Sequence, residues 1–396
     1  MSLFSLYGGV GGVGGVGGVG GVGGVGGVGG VGGVGGVGGV GGVGITGIGG
    51  FLGAGGSPQY DGAVTQGLLT SADAINHVVP EGQVDTLGAP RNNPFLWSDW
   101  VRASIYLAEF MSRLTFSRDD DHTVRVSFSG VEFYSARRPT AATMSDQVNY
   151  VRNYVDQRGE RSSEIVSQLG FPSPYYAMLA GIDSINFRNT AELLTILQVL
   201  TSHVMMTTKF LLDVPRPSQV SSKLAPMIAI PGHGSFPSAH AGESHAVAQM
   251  LEELLRDMPD AANRTELVWK QSERVAVNRT VAGVHYPMDS WAGATLGRQI
   301  AGILLHMLGG DFATRGAPKH AFHYDPNAAI GTDEADFSRC VWSEAINALE
   351  AGTGTAPVTL TAGTISLPSL SDTDIPAFRA LAAKLGDEFA DWQGTA

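Results

Sequence analysis

The sequence predicts an all-α protein: a helical bundle with one small β-hairpin and a low-complexity tract at the N-terminus. Three observations lead to this prediction. Apolar residues recur at three- and four-residue spacing through most of the chain after residue 95. A single segment alternates polar and apolar residues as strands do. Residues 8–43 consist of the triplet Gly-Gly-Val repeated twelve times.

The Gly-Gly-Val tract is predicted to be a flexible, disordered tail with no chemistry of its own. It contains no proline, so the polyproline stiffness that collagen needs is missing. Two glycines for every valine make a poor helix and bury little apolar surface, which argues against a membrane span. Self-association of the tract through paired strands is the alternative. We assign residues 1–56 to this tail.

Helical spacing is strongest in the middle of the chain and defines one helical domain. The segments that show it are residues 97–114, 144–159, 189–212, 239–258, 266–282 and 288–308. Residues 122–136 alternate and predict a hairpin that turns at Ser129 and Gly130. Weaker helical spacing follows at residues 333–350 and 373–391. We therefore expect a linker over residues 57–94, the helical domain over 95–310 and a C-terminal extension over 311–396.

Composition and charge argue against several classes of protein. The formal net charge of −12 argues against a nucleic-acid partner. No apolar run of bilayer length is free of charge, so no membrane span is predicted. The one cysteine, Cys340, excludes a disulfide framework and a cysteine-based zinc site. Because no clear signal peptide is present, a soluble, cytoplasmic protein is favoured, and a homo-oligomer stays open.

Three short segments of the helical domain carry polar residues that an apolar bundle does not need. The first, KFLLDVPRP, contains Lys209, one of only five lysines, and Arg216 seven positions later. Seven residues are nearly two turns, so a continuous helix would place both on one face. Pro215 predicts a helix end near Val214, which leaves Arg216 in a rigid Pro-Arg-Pro frame. A snorkelling lysine and an unrelated loop arginine are the alternative.

The second segment, SFPSAHAGES, indicates a helix start that can hold an anion. Pro237 suits the first helical turn and Ser238 can cap it or donate a hydrogen bond. The amides of Ala239 and His240 would then point outward with the positive end of the helix behind them. The segment lacks the G-x-S-x-G pattern of a hydrolase nucleophile. Zinc is an alternative, since three histidines lie close together in the sequence: His233, His240 and His245. It is the weaker alternative because their spacing matches no familiar set of zinc ligands.

The third segment, NRTVAGVHYPMD, contains Arg279, His285 and Asp289. Gly283 and Pro287 predict that one helix stops near residue 282, that a short loop presents His285, and that a new helix starts at the proline. Asp289 would lie in the first turn of that helix and accept a hydrogen bond from one ring nitrogen of His285. Such a bond fixes the tautomer and makes the other nitrogen a better ligand or nucleophile.

Together the three segments supply what one tetrahedral oxyanion needs. Arginines bind pairs of oxygen atoms, a lysine adds a point charge, and helix-start amides with a serine hydroxyl fill the remaining positions. The predicted anion-binding residues are Lys209, Arg216, Ser238, Ala239, Arg279 and His285. We call the first five the cradle. His285 would attack or coordinate the central atom, and His240 would exchange protons near neutral pH.

The order of these residues resembles a known family. Lys-x6-Arg-Pro, then Pro-Ser-x-His, then Arg-x5-His-x3-Asp is similar to the three-part signature of the type 2 phosphatidic acid phosphatase and vanadium haloperoxidase superfamily. The resemblance covers roughly residues 95–310 and implies a helical bundle of the vanadium haloperoxidase and acid phosphatase type, with the site at its centre. One position departs, because the family usually has glycine where this chain has Ala239, whose methyl group would narrow the pocket.

The resemblance implies one of two activities. In the haloperoxidases the cradle holds vanadate, the residue matching His285 is the axial vanadium ligand, and hydrogen peroxide is used to oxidise a halide. In the phosphatases the same histidine becomes a phosphohistidine, and the residue matching His240 protonates the leaving alcohol of a phosphate ester. Vanadate and phosphate have nearly the same shape, so the anion-binding residues are compatible with both activities.

His233 favours the haloperoxidases. It lies seven residues before His240, at a position where the algal bromoperoxidases carry a histidine near the vanadate, and the string VNRTVAGVHY is closer to the peroxidase form of the motif. We therefore predict a vanadate-dependent haloperoxidase that oxidises halide, bromide foremost, with hydrogen peroxide. A soluble acid phosphatase that acts on phosphate monoesters and a non-enzymatic anion-binding or structural protein are the alternatives.

Overall fold

The computed structural model describes residues 70–71, 93–97, 99–183, 185–329, 335–353 and 359–395. The Gly-Gly-Val tract lies outside the described residues, and so does most of the segment predicted as a linker. The prediction of a flexible tail over residues 1–56 therefore stays a prediction.

Helices form most of the described chain. In chain order they are α1 (Asp99–Met111), α2 (Ala141–Asn153), α3 (Arg158–Ser167), α4 (Ser173–Ala180), α5 (Arg188–Leu212), α6 (Pro217–Val220), α7 (Ala239–Leu255), α8 (Ala261–Val281), α9 (Pro287–Leu308), α10 (Gly310–Gly316), α11 (Arg339–Ala351) and α12 (Pro376–Thr395). The strongly periodic segments of the sequence correspond to α1, α2, α5, α7, α8 and α9. Helices α3 and α4 were not predicted, because each is short and mixes polar with apolar residues.

A five-stranded sheet accompanies the helices, so the prediction of an all-α fold was wrong in that respect. Its strands are β1 (Leu114–Arg118), β2 (Thr123–Phe128), β3 (Val131–Arg137), β4 (His320–Tyr324) and β5 (Leu360–Thr364), which pair in that order. The predicted hairpin is present as β2 and β3, and its turn residues Ser129 and Gly130 both have positive φ. Strand β4 pairs in parallel with β3 across nearly 190 residues of sequence, a partnership that no local pattern can indicate.

The described part of the C-terminal segment packs on the same core as the central helices. Besides the β3–β4 pairing, Glu109 of α1 accepts hydrogen bonds from the amides of Ala377 (2.9 Å) and Phe378 (3.2 Å) at the start of α12. In return, Glu388 of α12 accepts hydrogen bonds from the amide and hydroxyl of Thr190, each 2.9 Å, at the start of α5. These carboxylates satisfy amides that a helix start leaves open. The domain boundary at residue 310 stays a prediction.

Helices α7 and α9 are the centre of the molecule. Every residue of α7 except Glu252 is buried, and in α9 only Arg298 and His306 are not. A helix that is enclosed on all sides belongs at the middle of a bundle. None of the helices in the described ranges combines the length and the apolar character that a bilayer-spanning segment requires.

Glycines let α7 and α9 approach until their backbones touch. A Cβ atom placed on Gly297 would lie 2.0 Å from the carbonyl oxygen of Gly242, and one placed on Gly293 would lie 2.3 Å from that of Ser238. The amide of Ser238, just before α7, also donates to the carbonyl of Asp289 in α9 at 2.8 Å. The two helix starts are therefore held side by side.

Replacing Gly297 by alanine is expected to destabilise the fold by about 2 kcal/mol or more, because the methyl group meets backbone that no side-chain rotation can move. Gly386→Ala in α12 is the matched control, since nothing lies within 4 Å of a Cβ atom there and alanine is the better helix former. Urea unfolding of both variants measures the difference. Equal midpoints for Gly297→Ala and the wild type would contradict the close contact.

Candidate active site

The first segment reaches the site from the end of α5. The helix ends at Leu212, two residues earlier than predicted, because Asp213 adopts a left-handed conformation with φ 45°. Lys209 and Arg216 are both 1% exposed. The ammonium of Lys209 donates to the carbonyl oxygens of Gly234 (3.0 Å) and Ser235 (2.6 Å), which fastens α5 to the segment that precedes α7.

The second segment begins α7 with a capped first turn. Ser238 is the N-cap residue, and its hydroxyl oxygen accepts a hydrogen bond from the amide of Ala241 at 3.4 Å. The hydroxyl hydrogen of Ser238 stays available as a donor. The helix begins at Ala239, so Pro237 precedes the cap and does not occupy the first turn as predicted; its peptide bond with Phe236 is cis. The amides of Ala239 and His240 are among those that a helix start leaves without intrahelical partners.

The third segment has the predicted break between helices. Helix α8 ends at Val281, Gly283 has φ 78°, and α9 begins at Pro287. His285 lies between them, with Nδ1 at 2.7 Å from Oδ2 of Asp289. Because a carboxylate accepts, Nδ1 carries the hydrogen and the lone pair is on Nε2.

Asp289 and Arg216 fix His285 from its two sides. The same Oδ2 atom of Asp289 also accepts from the Tyr286 amide at 3.1 Å and from the hydroxyl of Ser235. On the other side, Nη1 of Arg216 donates to Nε2 of His285 at 2.9 Å and to the carbonyl oxygen of Val284 at 2.7 Å. The reactive nitrogen of His285 therefore faces a cation. Ser235 lies within the second segment, but the sequence alone assigned it no role.

His240 and Arg279 meet at a residue that the sequence did not indicate. The carbonyl oxygen of Gln168 accepts from Nε2 of His240 at 3.0 Å and from Nη1 of Arg279 at 3.3 Å. Gln168 follows α3, a helix that was not predicted, and it acts here through its main chain. No sequence motif reports a main-chain carbonyl, so no signal was there to find.

Burial dominates the electrostatics of the site. It lowers the pKa of Lys209 well below its ordinary value and the pKa of Arg216 and of Arg279 to about 10. Burial also raises the pKa of Asp289 to about 6, which leaves it mostly ionised at neutral pH.

The buried charge is predominantly positive. Two arginines stay protonated. Of the two carboxyls that interact electrostatically with Lys209, Asp289 and Glu243, burial raises the pKa of Glu243 well above its ordinary value, so Glu243 contributes little charge. Buried cations without full compensation favour an anionic ligand.

The three histidines of the site are neutral near pH 7. Burial first, and then the neighbouring cations, lower the pKa of His285 and of His240 well below the usual range. The same causes lower the pKa of His233 to about 3. A neutral His285 with hydrogen on Nδ1 presents a nucleophilic or ligating Nε2. For His240, the hydrogen is on Nε2, and Nδ1 is buried with no hydrogen-bond partner among the described residues.

His233 joins the site, whereas His245 does not. Nδ1 of His233 lies 3.2 Å from Nη2 of Arg216 and 3.0 Å from the carbonyl oxygen of Gly234. The ring of His245 makes edge contacts with three aromatic rings and its Nδ1 donates to a main-chain carbonyl of its own helix at 2.8 Å. Within the part of the chain that the structure describes, no group of His, Cys, Asp and Glu side chains could hold a metal ion.

The structure thus shows a largely helical protein in which three cationic side chains, those of Lys209, Arg216 and Arg279, are buried near His285. Residues 191–312 match the family model described as "PAP2 superfamily". The matched segment includes every residue of the cradle. Proteins of curated function gave no match. The match extends to the superfamily, so the haloperoxidase branch stays a prediction.

A solved structure also shows similarity. It is that of the first transmembrane PAP2 type phosphatidylglycerolphosphate phosphatase from Bacillus subtilis, and it is 19% identical over 40% of this chain and 82% of that chain. The TM-score of this match is 0.32.

The residues present fit a tetrahedral oxyanion, whether phosphate or vanadate. Buried donors face the site from three chain segments, and Nε2 of His285 offers one lone pair to a central atom. The fit rests on charge and donor chemistry, in which phosphate and vanadate do not differ.

Lysine is expected to replace Arg216 or Arg279 poorly, because one ammonium cannot reproduce the parallel donors of a guanidinium. We expect each variant to bind inorganic phosphate about tenfold more weakly in calorimetry, since a bond to a charged group contributes about 1.5–3 kcal/mol. Arg315→Lys is the control, because Arg315 pairs with Asp257 away from the site. If both variants bind phosphate with an affinity within about threefold of the wild type, these arginines do not bind the anion.

Proposed function

We propose that the protein is a phosphatase that hydrolyses phosphate monoesters through a phosphohistidine at His285. The observation that carries the proposal is the paired placement of His285. Its Nδ1 hydrogen is bound by buried Asp289, and its Nε2 lone pair lies beside the guanidinium of Arg216. A nucleophile held by a carboxylate next to a phosphate-binding cation is what phosphoryl transfer needs. The PAP2 superfamily match over residues 191–312 adds support.

In the first half of the reaction the cradle binds the phosphate group and Nε2 of His285 attacks phosphorus. The bond between phosphorus and the ester oxygen breaks as the bond to nitrogen forms. Asp289 keeps its hydrogen bond to Nδ1 and stabilises the positive charge that develops on the ring. Arg216 must release Nε2 and turn its donors to the phosphate oxygens, which provide a stronger acceptor.

His240 supplies the proton for the leaving alcohol. In the free protein it is neutral, since burial and neighbouring cations depress its pKa. A bound phosphate dianion offsets those cations, so its pKa rises and Nδ1 takes up a proton. Nδ1 then donates that proton to the departing oxygen.

In the second half a water molecule attacks phosphorus and releases His285. Neutral His240 now takes a proton from the water through Nδ1, and the phosphorus–nitrogen bond breaks. Inorganic phosphate leaves, His240 releases its proton to solvent, and both histidines are again in their starting protonation states. The net reaction consumes one water and yields one alcohol and one phosphate.

A second candidate is the vanadate-dependent haloperoxidase, which one observation favours. His233 is partly buried beside Arg216, and its Nε2 atom is buried with no hydrogen-bond partner among the residues described. A neutral imidazole there suits proton transfer near a bound ion better than it suits a purely structural role. Lys209, Arg216 and Arg279 would hold vanadate, and Nε2 of His285 would ligate it. Bound vanadate would supply the activation of hydrogen peroxide toward a halide.

One pair of assays separates the two candidates. Purified protein is tested for hydrolysis of p-nitrophenyl phosphate without vanadate, and for bromide oxidation by hydrogen peroxide after vanadate loading. We expect hydrolysis, its inhibition by vanadate, and a phosphorylated protein trapped by acid quench. Bromide oxidation without detectable hydrolysis would overturn the proposal of a phosphatase and support that of a haloperoxidase. Absence of both activities, with phosphate still bound, would favour a non-enzymatic anion-binding protein.

A further inference from the structure

Gln168 occupies an unusual position at the end of α3. It is fully buried and is the C-cap residue of the helix, so its amide still bonds back to carbonyls of the last turn. Its own carbonyl oxygen lies beyond the helix and accepts from two residues of the site, His240 and Arg279. A single main-chain atom thus contacts both a proton-transfer group and an anion-binding group.

This carbonyl decides which nitrogen of His240 exchanges protons. A carbonyl oxygen can only accept, so Nε2 of His240 must carry the hydrogen at 3.0 Å. The lone pair is left on Nδ1, which is buried and has no other hydrogen-bond partner in the described part of the chain. Proton exchange with a bound substrate is therefore assigned to Nδ1.

The side chain of Gln168 orients Arg279. Its Oε1 accepts from Nη2 of Arg279 at 3.3 Å and from Nδ2 of Asn278 at 2.9 Å, while its Nε2 donates to Oε1 of Glu164 at 3.1 Å. Glu164 in turn accepts from Arg274 at 2.9 Å. The position needs an acceptor toward Arg279 and a donor toward Glu164 in one planar group, which an amide provides.

We propose that Gln168 is a positioning residue that couples the two halves of the site: its carbonyl sets the tautomer of His240, and its amide sets the direction of Arg279. The proposal rests on the proposed function for its effect on turnover. Its effect on anion binding does not depend on that function. Because the carbonyl survives any side-chain replacement, substitutions at Gln168 should act mainly on Arg279.

The first test is Gln168→Met, which keeps the volume and removes the amide. We expect the dissociation constant for inorganic phosphate and the KM for p-nitrophenyl phosphate each to rise about tenfold, since Arg279 loses a hydrogen bond that a charged donor makes. The kcat should change by less than about threefold, because His240 keeps its carbonyl partner. Gln299→Met is the matched control, as Gln299 is equally buried and donates to carbonyls of Phe133 and His320 away from the site.

The second test is Gln168→Glu, whose protonated form copies the amide. At low pH its carbonyl oxygen accepts from Arg279 and its hydroxyl donates to Glu164, so phosphate affinity should approach that of the wild type. At higher pH the new carboxylate has no hydrogen to donate and lies next to the carboxylate of Glu164, which repels it. Glu164 is ionised because hydrogen bonds from Arg274 and Asn278 lower its pKa against the effect of burial. The ratio of variant to wild-type affinity should therefore fall about tenfold as pH rises.

The outcomes decide the proposal directly. Wild-type phosphate affinity in Gln168→Met, or a pH-independent affinity ratio in Gln168→Glu, would overturn it. If Gln168→Met does not fold, circular dichroism will reveal that, and Gln168→Glu measured across pH carries the decision. If the wild type shows no hydrolysis while its phosphate binding responds to Gln168 as described, the proposed phosphatase activity fails and the positioning role stands.

Discussion

Replacing His285 by alanine is expected to abolish phosphoenzyme formation and to lower kcat by more than about 10⁴-fold, because the attacking atom is gone. We do not expect another imidazole of the site to take its place, since the ring of His240 is held by the Gln168 carbonyl and that of His233 lies beside Arg216. Binding of inorganic phosphate should weaken far less, because the cradle is unchanged. Acid-quench trapping with ³²P-labelled substrate, together with calorimetry, measures both effects.

His306→Ala is the control for this variant, because His306 lies on α9 and contacts the carbonyl of Pro368 at 2.9 Å, outside the site. Asp289→Asn should give an intermediate loss. Its amide can still approach Nδ1 of His285, but it does not stabilise positive charge on the ring. A phosphoenzyme trapped in His285→Ala would show that another residue is the nucleophile.

Replacing His240 by alanine is expected to leave phosphate binding nearly intact and to reduce turnover by roughly 10²–10⁴-fold, as removal of a general acid and base does. The reduction should be smaller for substrates with a good leaving group, such as p-nitrophenyl phosphate, than for an alkyl phosphate. Nδ1 of His240 is buried and without a partner among the described residues, and that is the atom we expect to deliver the proton.

The dependence on leaving group separates proton transfer from misfolding. A misfolded variant loses activity toward both substrates equally. Loss of the general acid alone reduces hydrolysis of the alkyl phosphate more than hydrolysis of p-nitrophenyl phosphate. If His240→Ala loses phosphate affinity while His285→Ala keeps both affinity and turnover, the roles assigned to the two histidines are reversed.

The parts of the site that the sequence predicts are those with local causes. Gly283 and Pro287 stop one helix and start the next, so the loop that presents His285 follows from residues beside it. The bond from His285 to Asp289 spans four residues and is equally local. For this reason the histidine and its orienting carboxylate could be placed from sequence alone.

The parts that the sequence did not predict depend on distant contacts. Strand β4 finds β3 across nearly 190 residues, so the sheet was missed. Gln168 contributes a carbonyl, which every residue has, and it lies more than 70 positions from His240. Its role arises only when α3 is packed against α8, and no pattern in the residues around it records that packing.

The glycine contact between α7 and α9 has a consequence for altering selectivity. Backbones that touch at Gly242 and Gly297 cannot slide or tilt without collision, so the starts of α7 and α9 keep a fixed spacing. Room for larger or differently shaped ligands must then come from residues outside this helix pair. Libraries aimed at new substrates should vary residues outside this pair and leave the facing glycines alone, because a change there alters the spacing of Ser238, Ala239 and Asp289 at once.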